Sequence, residues 1–297
     1  MGACPNCGSE TVENYCAHCG QRYHTVPSMR AFVKEVADDQ LGVDAKLPRT
    51  LAALFLKPGL LTSDYMAGRI ARYIPPFRLY LIASLLFFVL LSLLSRRSDW
   101  AEIAAREMTR DTAGVANGDT ARGGRGLNVG VSIGGERWLD DVQVSLPWRW
   151  LDQRIERNLQ ALGELPPNVA LRRTWDAMIE ELPKVMFLLL PVYALLLKLI
   201  YIRRKRYYIE HFVFALHVHA ISFTLFSLVL IYRADLFVLV VSFAIALYVW
   251  LAMKRVYAQG YFMTTLKWLL LGFTYMILVT FGGLLAAILA IAGTGGS

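Results

Sequence analysis

The sequence predicts an all-α polytopic membrane protein, with about five transmembrane helices, interfacial amphipathic helices and a small N-terminal zinc ribbon. Three observations carry this expectation. The 297 residues are 56% hydrophobic and only 18% charged, whereas soluble domains carry about a quarter charged residues. Mean hydropathy is +0.43, and the apolar excess is gathered in five runs near the roughly 20 residues that a helix needs to cross a bilayer core. All four cysteines lie at the N-terminus, as Cys4-x-x-Cys7 and Cys16-x-x-Cys19.

The cysteines come first in the chain. Two residues between cysteines let one tight turn aim both sulfurs the same way, and two such turns facing each other make a tetrahedral thiolate cage suited to one structural Zn2+. Gly8 and Gly20 follow the two pairs, where a glycine relieves crowding beside the sulfurs. Two disulfides are the competing reading. No cysteine lies elsewhere and no secretory signal precedes the pairs, so a reducing compartment is expected. His18 sits in the second turn as a spectator, because Cys4, Cys7, Cys16 and Cys19 complete the site.

The ribbon is assigned residues 1–23, and residues 24–76 are read as cytoplasmic interfacial helices. Within them, 28–37 and 62–73 have helical patterns, and Lys57-Pro58-Gly59 breaks an apolar stretch that runs from Thr50 to Leu56. The five spans are 77–94, 182–202, 212–232, 236–253 and 268–292. Pro191 interrupts the second. Arg233 and Asp235 mark a turn that separates the third from the fourth, against a four-span alternative. Residues 95–181 form an extracytoplasmic loop. Its stretch 112–135 has the composition of disorder. Residues 147–162 and 169–181 have apolar residues at helical spacing, which predicts two amphipathic helices.

Loop charges set the expected orientation. Arg203-Arg204-Lys205-Arg206 lies between spans two and three, and Lys254, Arg255 and Lys267 flank the loop between spans four and five. Basic loops stay inside. This places the N-terminus in the cytoplasm, where the thiols stay reduced, and the C-terminus outside. Arg96 and Arg97 at the outer end of span one run against the rule. The expected location is a membrane, with the N-terminus on its cytoplasmic side.

The net charge of +8 does not point to nucleic acid. The ribbon carries Glu10 and Glu13 against Arg22, which is no phosphate-binding patch. The basic residues flank apolar runs, so membrane lipids are the expected partners. Lys57, Arg69, Arg72 and Arg78 are candidate contacts to lipid phosphate.

Three of the five histidines lie in span three or at its start. Ionisable groups inside a span are costly and often functional, so Glu210, His211, His217 and His219 are the candidate polar cluster. Helical geometry puts Glu210 and His217 within about 20° of one another and His211 and His219 about 80° apart, so one helix cannot gather all four on one ion. Other spans offer Tyr193, Tyr248 and Thr280 as partners, but no second Asp, Glu or His. Span five carries Gly282, Ala286 and Ala290 at a spacing that lets helices pack closely, within the chain or between copies in a homo-oligomer. No Walker A loop, Gly-x-Ser-x-Gly or His-Glu-x-x-His motif occurs.

Several short motifs recur in one order: Cys19-Gly20-Gln21, Arg49-Thr50-Leu51, Lys57-Pro58-Gly59, Tyr65-x-x-Gly68-Arg69, Tyr73-x-x-Pro76-Phe77, Tyr208-x-Glu210-His211 and Leu216-His217-x-His219. In this the chain resembles a bacterial zinc-ribbon family catalogued as domain of unknown function 3667. The resemblance implies a multi-pass inner-membrane protein and brings no known activity. The leading expectation is a non-enzymatic adaptor, sensor or membrane-organising protein whose ribbon docks a cytoplasmic partner or stabilises the N-terminal segment. A small transporter or channel using Glu210 and His217, and a lipid-acting enzyme, are the alternatives. No catalytic residue is assigned.

Overall fold

The computed structural model describes residues 2–11, 15–21, 46–96, 149–232 and 234–293. The helix expected over 28–37 and the stretch 112–135 lie outside them.

The described chain is helical apart from a short antiparallel pairing of β1 (Gly2–Ala3) with β2 (Glu10–Thr11). The helices follow in order: α1 (Leu47–Leu56), α2 (Leu60–Met66), α3 (Pro76–Arg96), α4 (Arg149–Gly163), α5 (Pro167–Ile200), α6 (Tyr208–Ile231), α7 (Asp235–Tyr257) and α8 (Tyr261–Gly293). Five of these, α3 and α5 to α8, are long and apolar enough to cross a membrane. Helix α6 ends at Ile231 and α7 begins at Asp235, so the third and fourth apolar runs are separate helices.

Prolines start several helices, because a missing N–H costs nothing in the first turn. Pro48 does so in α1, Pro76 in α3 and Pro167 in α5. Helix α7 has Asp235 in its first turn and Lys254 and Arg255 in its last, which complements the helix dipole. The expected helix over 62–73 is shorter. It ends at Met66, and Gly68 takes φ +78°, a left-handed conformation that breaks the helix. Conversely, the amphipathic segment 169–181 and the second span are one continuous helix, α5. It contains both Pro183 and Pro191.

The fold divides into two units. The first comprises residues 1–90 and 187–278. Helix α6 is its core: 56% of its apolar window is buried, against 17–33% for the other four long helices. Every residue from His211 to Ile221 is buried, as expected for a helix apolar all round. Helices α1 and α2 pack on α6, and α2 also on α7. Gly59 makes that approach possible. Its φ is +75°, and a Cβ there would lie 3.0 Å from the Ala252 backbone and 3.2 Å from Val256 Cγ2. Arg255 Nη1 donates to the Pro58 carbonyl at 2.7 Å. Residues 57–59 thus break one helix and seat the next against α7.

The second unit comprises residues 91–186 and 279–297. Asn158 of α4 donates through Nδ2 to the Ile291 and Ala292 carbonyls, at 2.7 and 3.2 Å. It thereby satisfies acceptors that the end of α8 leaves open. Trp175 Nε1 donates to Ser95 Oγ at 2.7 Å. Gly282, Ala286 and Ala290 are buried, so this small-residue face is used for packing within the chain.

Candidate functional site

The two cysteine turns are built alike. Gly8 N–H donates to the Cys4 carbonyl and Gly20 N–H to the Cys16 carbonyl, both at 2.8 Å. Cys4 N–H donates to Ser9 and Cys16 N–H to Gln21, again at 2.8 Å. Both glycines have positive φ, +81° and +68°. The four sulfurs lie within 4.8 Å of one another, with Cys4–Cys19 at 3.7 Å and Cys7–Cys16 at 3.5 Å. A tetrahedral zinc with bonds of about 2.3 Å requires sulfurs roughly 3.8 Å apart, so the cluster has the dimensions to hold such an ion. Its donor set, four thiols, suits the same metal. His18 is exposed and stands outside the group.

The thiols differ in acidity. The Ser9 hydroxyl, 2.9 Å from Cys7 Sγ, and the Ser9 backbone bring Cys7 down to about 6. Cys19 is also lowered, chiefly by the Asn6 side chain. Burial pushes Cys4 up to about 11.

Gln21, two residues past the last cysteine, extends this unit onto the helical segment. Its Nε2 donates to the Gly68 carbonyl, and its Oε1 accepts from the Ile70 and Ala71 N–H groups, each at 3.2 Å. Gln21 is only 6% exposed. Arg72 Nη2 donates to the Asn6 carbonyl at 3.2 Å, and a Cβ on Gly68 would lie 3.4 Å from Pro5. The ribbon therefore grips the turn that ends α2. Cys-Gly-Gln was visible as a motif, but its glutamine was read without a role. A long amide two residues after the last cysteine is the available signal.

The gripped turn is itself braced. Asp64 is buried and accepts from Arg69 Nη2 at 2.6 Å and from the Tyr73 hydroxyl at 3.0 Å. Burial and then Asp64 raise the pKa of Tyr73. Thr50, fully buried, donates to the Lys46 carbonyl at 2.9 Å and accepts from Ile74 N–H at 3.1 Å. It ties α1 to the stretch leading into α3. Of the candidate lipid contacts, Lys57 and Arg72 are exposed, Arg69 is half-exposed and Arg78 is buried.

The polar residues of α6 do not gather at one point. Glu210 pairs with Arg206 at 3.1 Å. His211 Nδ1 meets the Tyr257 hydroxyl at 2.8 Å. His217 Nδ1 meets Thr62 Oγ1 at 2.9 Å. His219 Nδ1 lies 2.8 Å from the Ala215 carbonyl and Nε2 lies 2.7 Å from the Tyr275 hydroxyl. An imidazole facing a carbonyl donates from that nitrogen, so Nδ1 of His219 carries the proton and Nε2 accepts from Tyr275. Glu210 and His217 share a side of the helix but take different partners. The hydrogen-bonding partners of the histidines on other segments are Thr62, Tyr257 and Tyr275, rather than Tyr193, Tyr248 or Thr280. Tyr193 instead meets the His219 ring edge-on, with centroids 5.1 Å apart.

His217 also borders a small cavity of about 10 Å³, lined by Leu61, Tyr65, Arg69, Tyr73 and Pro76 among others. That is room for about one water. Among the described residues, the four cysteines are the group of three or more potential metal ligands drawn together.

Comparison with curated proteins and with solved structures gives no match. Residues 44–88, the segment that carries Thr50, Gly59, Asp64, Gly68 and Tyr73, match the family described as Protein of unknown function (DUF3667), the family that the sequence resembles.

Proposed function

We propose that this is a non-enzymatic bacterial inner-membrane protein in which one structural zinc ion holds the N-terminal ribbon, and the ribbon clamps the segment that roots α2 and α3. It works as an adaptor or sensor: the state of the ribbon is relayed to α6 and α7 through α2, and the exposed ribbon surface meets a cytoplasmic partner. The observation behind this reading is the grip of Gln21 on the backbone at Gly68, Ile70 and Ala71. Purified protein is expected to carry one zinc per chain. Cys7→Ser with Cys19→Ser should abolish zinc and leave the spans inserted. Full zinc retention in that variant removes the proposal.

The cytoplasmic placement of the ribbon is supported by the basic loops at 203–206 and 254–255. Single cysteines at Ser132 and Thr294 should react with an impermeant thiol reagent in intact spheroplasts, and one at Gln259 should not. Labelling at Gln259 alone reverses the orientation.

A second reading, a small transporter, is favoured by the cavity beside His217. It requires proton uptake into liposomes that His217→Leu abolishes. Absence of flux from the wild-type protein disposes of it.

A further inference from the structure

The cavity beside His217 has two walls of different origin. Helices α2 and α6 supply one, with Leu61, Tyr65 and His217. The other is the stretch 69–76, which is not helical before Pro76 and contributes Arg69, Ile70 and Tyr73 among others. His217 is only 5% exposed. Among the described residues Thr62 is the hydrogen-bond partner of its ring, at Nδ1, so Nε2 is the nitrogen left to the cavity. A buried imidazole nitrogen without a partner is costly. The cavity, about 10 Å³, has room for about one water to satisfy it.

The non-helical wall is anchored at both ends. At the far end Ile74 N–H donates to Thr50 Oγ1 at 3.1 Å, and Arg69 and Tyr73 reach back to Asp64 of α2. At the near end the anchor is the ribbon. Gln21 takes the Gly68 carbonyl and the N–H groups of Ile70 and Ala71. Ile70 is therefore both a lining residue of the cavity and a direct contact of Gln21. Gly68, at φ +78°, starts the stretch with a conformation that no helix stiffens.

We propose that residues 68–71 are a lid over a water site at His217, and that the zinc ribbon holds the lid shut. With the ribbon seated, one water sits on His217 Nε2 and the ring is shielded from the bulk. When the ribbon lets go, the stretch lifts from its near end and bulk water reaches the ring. An ionisable group on the core helix of the first unit is then open to solvent. This rests on the clamp described above and gives the ribbon's state an end point on α6.

The test is modification of the zinc-loaded, full-length protein by diethyl pyrocarbonate in detergent, with each histidine read by mass spectrometry. The reagent acylates a neutral imidazole nitrogen that solvent reaches. In the wild type, exposed His18 should react and His217 should not. In Gln21→Ala, and in Cys7→Ser with Cys19→Ser, His217 should react at least about tenfold faster, since the lid loses hydrogen bonds worth about a factor of five each. His211 and His219, which do not line the cavity, should stay as they were. Wild-type His217 reacting as fast as His18 would overturn the lid. Equal gains at His211 and His219 would overturn it in favour of a general loosening of the helices. An unreactive His217 in Gln21→Ala, with faster amide exchange at Ile70 and Ala71, would overturn the lid and leave the clamp standing. No change in either readout would remove both.

Discussion

The two units hold their helices by different means. In the first, polar side chains join segments far apart in the chain: Gln21 reaches 68–71, Thr50 reaches Ile74, and Thr62 reaches His217 across 155 positions. In the second, Asn158 closes the carbonyls at the end of α8, Trp175 meets Ser95, and Gly282, Ala286 and Ala290 are packed inside. The first unit thus rests on buried directional contacts, where removing one partner leaves the other unsatisfied at about 1–3 kcal/mol. The second unit also has long-range hydrogen bonds, from Asn158 and Trp175, but that of Asn158 caps a helix end beside a small-residue face, where about 1 kcal/mol is at stake. The family match, residues 44–88, falls wholly in the first unit.

The largest expected effect tests the tightest contact of the first unit. Gly59→Ala places a Cβ 3.0 Å from the Ala252 backbone at a left-handed φ, so α2 must move off α7. The expected loss is about 3 kcal/mol from strain and overpacking together, read as thermal unfolding in detergent. An unchanged midpoint would mean that α2 is not seated on α7.

Next comes the question of coupling along α6. His217→Leu leaves Thr62 without its partner and should cost about 1–3 kcal/mol. Glu210→Leu removes a half-exposed pair with Arg206 and should cost less than about 1 kcal/mol. Because the partners differ, the double variant should show the sum. Recovery of stability in the double variant would instead mean that Glu210 and His217 satisfy one another.

Zinc binding at the proposed four-cysteine site should depend on pH in a defined direction. Metal binds thiolates and displaces their protons. Cys4, raised to about 11, is protonated at neutral pH and must lose its proton on binding. Apparent zinc affinity should therefore rise at least tenfold per pH unit between about pH 7 and 9. Cys7, lowered to about 6, is already a thiolate there and adds to the slope only below that value. A competition assay with a chelator of known affinity reads this slope, and a flat profile contradicts the four-thiolate site.

The smallest effect belongs to the second unit. Asn158→Ala uncovers two carbonyls at the end of α8 and should cost about 1 kcal/mol, the size of a typical helix cap. Faster amide exchange should be confined to the end of α8. A loss as large as that of Gly59→Ala would erase the contrast between the units.

What the sequence made legible follows the same contrast. The five apolar helices and the paired cysteine turns are local patterns, readable from hydropathy and spacing. The turn between α6 and α7 was legible because Arg233 and Asp235 interrupt the apolar run. The end of α2 was misplaced because the run from Thr62 to Tyr73 has helical composition. What stops the helix is left-handed Gly68, braced by the pairing of Asp64 with Arg69 and Tyr73. The continuity of α5 was missed because the change from amphipathic to apolar character at Leu182 looks like a boundary, although the backbone ladder has no reason to break there. The histidine partners were illegible for another reason. Thr62, Tyr257 and Tyr275 are ordinary residues until the fold brings them to α6.

The clamp is the central claim, and amide hydrogen exchange at Ile70 and Ala71 tests it most directly. Gln21→Ala should keep its zinc, yet both amides should exchange about tenfold faster, the equivalent of one lost hydrogen bond. Cys7→Ser with Cys19→Ser should lose zinc and show the same acceleration at the same two amides. Unchanged exchange at Ile70 and Ala71 in a variant that has lost its zinc would contradict the account.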